Sequence, residues 1–167
     1  YACNSTPSPS VKEQPQANID TLKPSPKIDT AEENKILGNI NFGMPRRLAE
    51  IAVDKFEKES AKHLGAFYFG YAAPLYYHDS LYSINLSSYS EDATKFDSYI
   101  HSDVVQLYEL FSKKYGIPAI DNGFPELNQL SNNRGWISYQ WNYGFKQIQI
   151  QVQEREFDFS VALVITD

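Results

Sequence analysis

A single cysteine in 167 residues excludes an internal disulfide, so the fold has to be carried by a packed core. Long apolar runs are also missing. The longest candidate is broken by Gly70, Pro74 and His78, and nothing approaches the roughly eighteen residues that a spanning helix needs. Basic residues are in deficit: 15 Lys and Arg against 21 Asp and Glu leave a formal net charge of -6, with no Lys/Arg cluster to offset it. That field repels nucleic acid, which is therefore not expected as a partner. No glycine pattern cradles a phosphate and only three histidines occur, so no cofactor or metal is expected.

What the chain does have is length for one domain, able to bury roughly 70% of the surface its unfolded form exposes. It is also rich in aromatics, with twelve Tyr and ten Phe, a composition that favours strands and adhesive surfaces.

The first segment is of another kind. From Cys3 to about Glu33 the chain contains five prolines, scattered charges and no apolar period. Such a stretch cannot bury enough surface to offset the entropy of ordering it, so residues 1–36 are expected to form a disordered tether ahead of a domain over 37–167. Tyr1-Ala2-Cys3 before a Ser/Pro/Thr tail resembles the processing site of bacterial lipoproteins. The resemblance implies that Cys3 is acylated, that Tyr1 and Ala2 are signal-peptide remnants, and that the domain is anchored to a membrane of the bacterial cell envelope. Asn4-Ser5-Thr6 and Asn85-Leu86-Ser87 match the N-glycosylation pattern, the mark of a secretory alternative.

Beyond Leu37 the signals become regular. Pro45 suits a first helical turn, and Leu48, Ile51, Ala52 and Phe56 recur on one face, predicting an amphipathic helix from Pro45 to about Lys62 that Gly65 stops. Alternation from Phe67 to Tyr77 and again at Tyr82, Ile84 and Leu86, across His78-Asp79-Ser80, predicts an antiparallel hairpin with Pro74 at an edge or bulge. Asp92 can cap a second helix with Phe96, Ile100, Val104, Leu107 and Phe111 inward; Lys113, Lys114, Gly116 and Pro118 end it. The stretch from Ile117 to Arg134 reads as a long loop. Three more strands follow over 137–143, 146–153 and 157–165, the middle one reading KQIQIQVQ, which implies one wet sheet face. The order α-β-β-α-β-β-β therefore predicts an α+β fold: a mostly antiparallel sheet of about five strands with two helices packed on one face.

Phe42-Gly43-Met44 leading into a helix, the stretch Gly70 to Leu86, and Lys114-Tyr115-Gly116-Ile117-Pro118 together resemble small exported bacterial proteins with helices over an antiparallel sheet. The small lipoprotein of the outer-membrane barrel-assembly machinery and the β-lactamase inhibitor proteins belong to that group. The resemblance implies binding rather than catalysis and assigns no residue a role.

Chemistry is sparse. His63 stands at a helix end, where a cation is favourable. His78, Asp79 and Ser80 list the parts of a hydrolytic triad, but neighbours in one tight turn point apart. His101 follows Asp97 by four residues, the spacing of a solvated helical pair rather than a metal site.

The wet sheet face is the stronger candidate. Strict alternation points Tyr68, Tyr76, Asn85, Trp136, Gln140, Phe145, Gln147, Gln149 and Gln151 away from the helices. Trp136 and Trp141 differ in parity, so without a bulge one of them faces outward. Tyr68, Tyr76, Trp136, Gln140, Phe145 and Gln149 are accordingly the expected contact residues for a protein, peptide or glycan at the envelope. The competing expectations are an exported hydrolase that uses the 117–134 loop with His78 or His101, and a purely structural spacer.

Overall fold

The computed structural model describes residues 29–130 and 135–167. Cys3, Asn4 and residues 131–134 of the long loop lie outside the described residues.

The fold is α+β, with a six-stranded antiparallel sheet. Its strands are β5 (Tyr71–Tyr77), β6 (Ser80–Ser87), β7 (Ile120–Asp121), β8 (Gly135–Tyr143), β9 (Lys146–Arg155) and β10 (Asp158–Thr166), in the order β5-β6-β10-β9-β8-β7. The short β7, in what reads as a loop, adds the sixth strand. Pro74 lies on the edge strand β5, where a missing N–H costs no ladder bond. In β9 the alternation is complete: Ile148, Ile150 and Val152 are sealed, while Gln147, Gln149, Gln151 and Gln153 lie on the opposite face.

Two long helices cover the apolar face. Of these, α2 (Arg46–Glu59) buries Ala49 and Val53 and leaves Leu48 and Ile51 exposed, so its packing face is rotated from the expected one. The small Ala49 side chain lets the backbone approach the sheet closely, which the larger Leu48 and Ile51 could not do. The helix stops at Glu59 because Ala61 and Lys62 adopt left-handed φ of 49° and 61°. Gly65 serves instead in the turn of a small hairpin, β3 (His63–Leu64) with β4 (Phe67–Tyr68), that interrupts the expected long strand.

The second helix starts with a 3-10 turn over Ala93–Lys95, capped by the Asp92 carboxylate, and a π turn over Phe96–Ile100; it continues as α3 (His101–Tyr115). Phe96, Ile100, Val104, Leu107 and Phe111 form its buried face, as their spacing predicts.

The N-terminal boundary is earlier than expected. Residues 30–36, placed in the tether by composition, are folded: α1 (Thr30–Asn34) runs into β1 (Lys35–Leu37), which pairs with β2 (Ile40–Asn41), and Ile36 joins the core. A five-residue helix with no apolar period carries no stability of its own. It is held by Lys146, at the start of β9 on the apolar face, where the side chain is wholly covered. The Lys146 ammonium donates to the carbonyls of Glu32 and Lys35, to the Tyr115 hydroxyl at 3.2 Å and to the Glu32 carboxylate at 3.3 Å, and lies over the Tyr115 and Tyr143 rings. Glu33 accepts from the Phe145 amide, and its carboxylate occupies the space a β-carbon on Gly144 would need. Only glycine permits that approach.

Burial alone would raise the Glu32 carboxyl, but hydrogen bonds from Lys114 and Tyr115 and the charges of Lys114 and Lys146 outweigh it and hold the group at about 2. A folded value below the ordinary 4.5 stabilises fully above pH 4.5, and the contribution disappears as pH falls toward 2. Glu32→Gln should therefore cost about 1 kcal/mol at neutral pH, allowing for solvent screening of this half-exposed site. Urea unfolding of the two proteins should show that difference closing on acidification.

A second prediction concerns the β9–β10 turn, where Glu156 and Phe157 have φ of 54° and 72° and the Phe157 ring is 82% exposed. A left-handed non-glycine costs about 1–2 kcal/mol and glycine's extra entropy about half that. Phe157→Gly should raise the unfolding free energy measured in urea by about 0.5–1 kcal/mol.

Candidate functional site

The polar face of the sheet is built by register. Gln149 pairs with Gln140 on β8 and Val164 on β10, and Gln147 with Asn142 and Thr166; Asn85 of β6 lies across from Val164 and from Ala73 of β5. The amides join into a ladder: Gln153 donates to Gln151, Gln151 to Gln149, Gln149 to both Gln147 and Gln140, and Gln140 to Asn142, over distances of 2.6–3.4 Å. The inner amides of Gln151, Gln149 and Gln140 both give and accept, which fixes their orientation and presents a row of neutral dipoles. Toward the β9–β10 end the face deepens into a depression of about 450 Å³ lined by Tyr71, Ser90, Gly135, Gln153, Glu154, Arg155 and Ser160.

Of the six expected contact residues, the structure brings only Gln140 and Gln149 together on this face, 2.9 Å apart. Trp136 is on the helix side. A bulge at Ser138, between Ile137 and Tyr139, shifts the parity of β8, so Trp136 pairs with Val152 and Trp141 with Ile148 on the same apolar face; the Trp136 indole donates to the Gly123 carbonyl. Tyr76 is likewise inward: it shares the face of Ala72 and Pro74, which pair with the buried Leu86 and Ile84, and lies opposite Leu81 with the Arg46 guanidinium 4.5 Å over its ring. Burial, the largest influence, raises the Tyr76 phenol above its ordinary value. Phe145 occupies the β8–β9 turn and packs edge-on against Phe42. Tyr68 belongs to the β3–β4 hairpin and not to the large sheet.

The histidines are scattered. His78 sits in the β5–β6 turn at φ 46°, its ring on Tyr77, while its neighbour Asp79 pairs with Arg46 at 3.5 Å. His63 has Nδ1 2.9 Å from the Ala61 carbonyl. In the π turn four residues no longer close one turn, so the spacing of Asp97 and His101 is not that of a regular helical pair; His101 packs on Phe124 at 4.7 Å and so meets the long loop through a ring contact. Among the described residues no group of three His, Cys, Asp or Glu is placed to hold a metal ion.

A second hollow lies on the other side of the segment 88–91. It measures about 150 Å³ and is lined by Tyr68, Ser88, Tyr89, Glu91, Tyr99 and Asp103. Sequence spacing missed it because four separate elements supply those residues. The only signal available was the i,i+4 pair Tyr99 and Asp103. Burial, and then the Glu91 carboxylate, push the Asp103 carboxyl up to about 6, whereas Glu91 itself is paired with Lys95 at 2.6 Å.

No family model, no curated protein and no solved structure matches this chain.

A carboxyl raised from 3.8 to about 6 favours the fold in its protonated form, so its stabilisation is whole below pH 3.8 and is lost as pH climbs through 6. Asp103→Asn should thus raise stability at pH 7 by about 1 kcal/mol, the site being partly solvated, and leave it unchanged near pH 3.8. Thermal melts at the two pH values measure this.

Proposed function

We propose that this chain is a non-catalytic binding protein of the bacterial cell envelope, tethered through an acylated Cys3, whose amide-lined sheet face docks a neutral polar macromolecule, a glycan or peptide chain. The observation that carries the reading is the ladder from Gln153 to Asn142: a row of mutually oriented amides with no charge among them. Amides of fixed orientation recognise hydroxyl or peptide groups without the desolvation cost that charges bring. Tyr71, 55% exposed beside the depression, adds an aromatic surface of the kind that binding faces favour.

The position of the chain's N-terminal side supports a tether. The Asp29 amide donates to the Tyr143 hydroxyl, at the β8–β9 end of the sheet, and the depression lies at the β9–β10 end. The first described residue and the depression therefore lie at opposite ends of the sheet.

A photo-cross-linking residue in place of Gln149, in the full chain expressed with a signal peptide in bacterial cells, should capture one predominant macromolecule, and the same residue in place of Leu48 on α2 should not. Gln151→Glu should reduce that capture several-fold with the melting temperature unchanged. Equal labelling from both positions would contradict the docking face. An unmodified Cys3 thiol in the mature protein, read by mass spectrometry, would contradict the anchor.

A further inference from the structure

The hollow beneath segment 88–91 has no place in the docking face, and its lining is chemically unlike it. Three aromatic rings converge there. Tyr68 and Tyr89 stand 5.7 Å apart, and Tyr99 projects from the π turn that leads into α3, one turn before Asp103. π turns are frequent at functional sites because the extra residue re-aims side chains. Tyr89 is seated against the backbone of Gly70, where a β-carbon would come within 3.2 Å of its ring; the position of the ring thus depends on glycine at 70.

All three rings remain substantially exposed, 41%, 55% and 61% for Tyr68, Tyr89 and Tyr99, although they border a concavity. Beside them Asp103 is half-buried, and among the described residues no basic side chain pairs with it. A partly desolvated carboxylate without a basic partner, in a hollow also lined by three tyrosines, lacks a cation to complete it. Lys95 shows the same preference at the margin, its ammonium on Glu91 and 5.4 Å over the Tyr99 ring.

We propose that Tyr68, Tyr89, Tyr99 and Asp103 form a binding site for a small free organic cation, an alkylated ammonium compound. At about 150 Å³ the hollow holds several water molecules' worth of space, enough for a compact ammonium group and too little for a chain. The aromatic faces take the alkyl groups and the Asp103 carboxylate supplies the charge. Lys95, by pairing with Glu91, leaves a single free acid and so favours a monovalent ligand.

The test uses the full-length chain with tetramethylammonium as the probe and tert-butanol as its neutral counterpart of similar shape, followed by amide chemical shifts at neutral pH. Saturable shifts confined to residues around 68, 88–91, 99 and 103, produced by tetramethylammonium and not by tert-butanol, are expected. Tyr99→Leu, at an exposed position where folding is not at risk, should weaken binding about five- to tenfold, and Asp103→Asn about tenfold. Equal responses to the two probes, unaltered affinity in Tyr99→Leu, or retention on phosphatidylcholine vesicles without binding of free tetramethylammonium would each overturn the assignment.

Discussion

One buried ammonium organises the N-terminal end of this domain. Lys146 occupies a position that strand parity assigns to the core, in line with Ile148, Ile150 and Val152, and its charge is compensated by groups from elsewhere in the chain: carbonyls of α1 and β1, the Glu32 carboxylate and the Tyr115 hydroxyl. A charge there without partners would cost several kcal/mol. The requirement therefore runs in both directions, since the short helix has no reason to fold without the lysine and the lysine has no reason to be buried without the helix. Burial, which lowers the Lys146 ammonium below its ordinary value, is opposed by the Glu32 charge.

The same cluster explains where legibility in the sequence ends. The KQIQIQVQ alternation is a local signal, and the sheet follows it. The cap at Asp92 and the stop at Gly116 are local too, and they hold. The segment 30–36 was unreadable because its stability is wholly tertiary. Strict alternation puts Trp136 and Tyr76 on the wet face; a bulge at Ser138 reverses the parity for Trp136, and the break between β4 and β5 reverses it for Tyr76, because alternation counted from Phe67 and Phe69 does not carry across it. The Ser138 bulge carries no glycine or proline to mark it. Leu48 and Ile51 misled for a different reason: α2 packs through small side chains, and hydrophobic size alone selects the wrong stripe.

The two candidate surfaces differ in chemistry. The ladder amides are neutral, with Glu154 and Arg155 at the rim of the depression beside them, whereas the tyrosine-lined hollow carries Glu91 and Asp103, and segment 88–91 divides the two. Gln140 and Gln149 could be read from sequence because they sit on unbulged register; Tyr89, Tyr99 and Asp103 could not, because only the assembled fold brings them together. Both surfaces lie toward the β9–β10 end, opposite the Lys146 cluster.

The account stands or falls on the coupling between Lys146 and the first folded residues. Native-state hydrogen exchange of Lys146→Met, a substitution close in volume, measures it directly. Amides of residues 31–37 should lose protection while those of β9 and β10 keep theirs. Unchanged protection over 31–37 would show that α1 and β1 are held by something other than the buried ammonium, and would contradict the account.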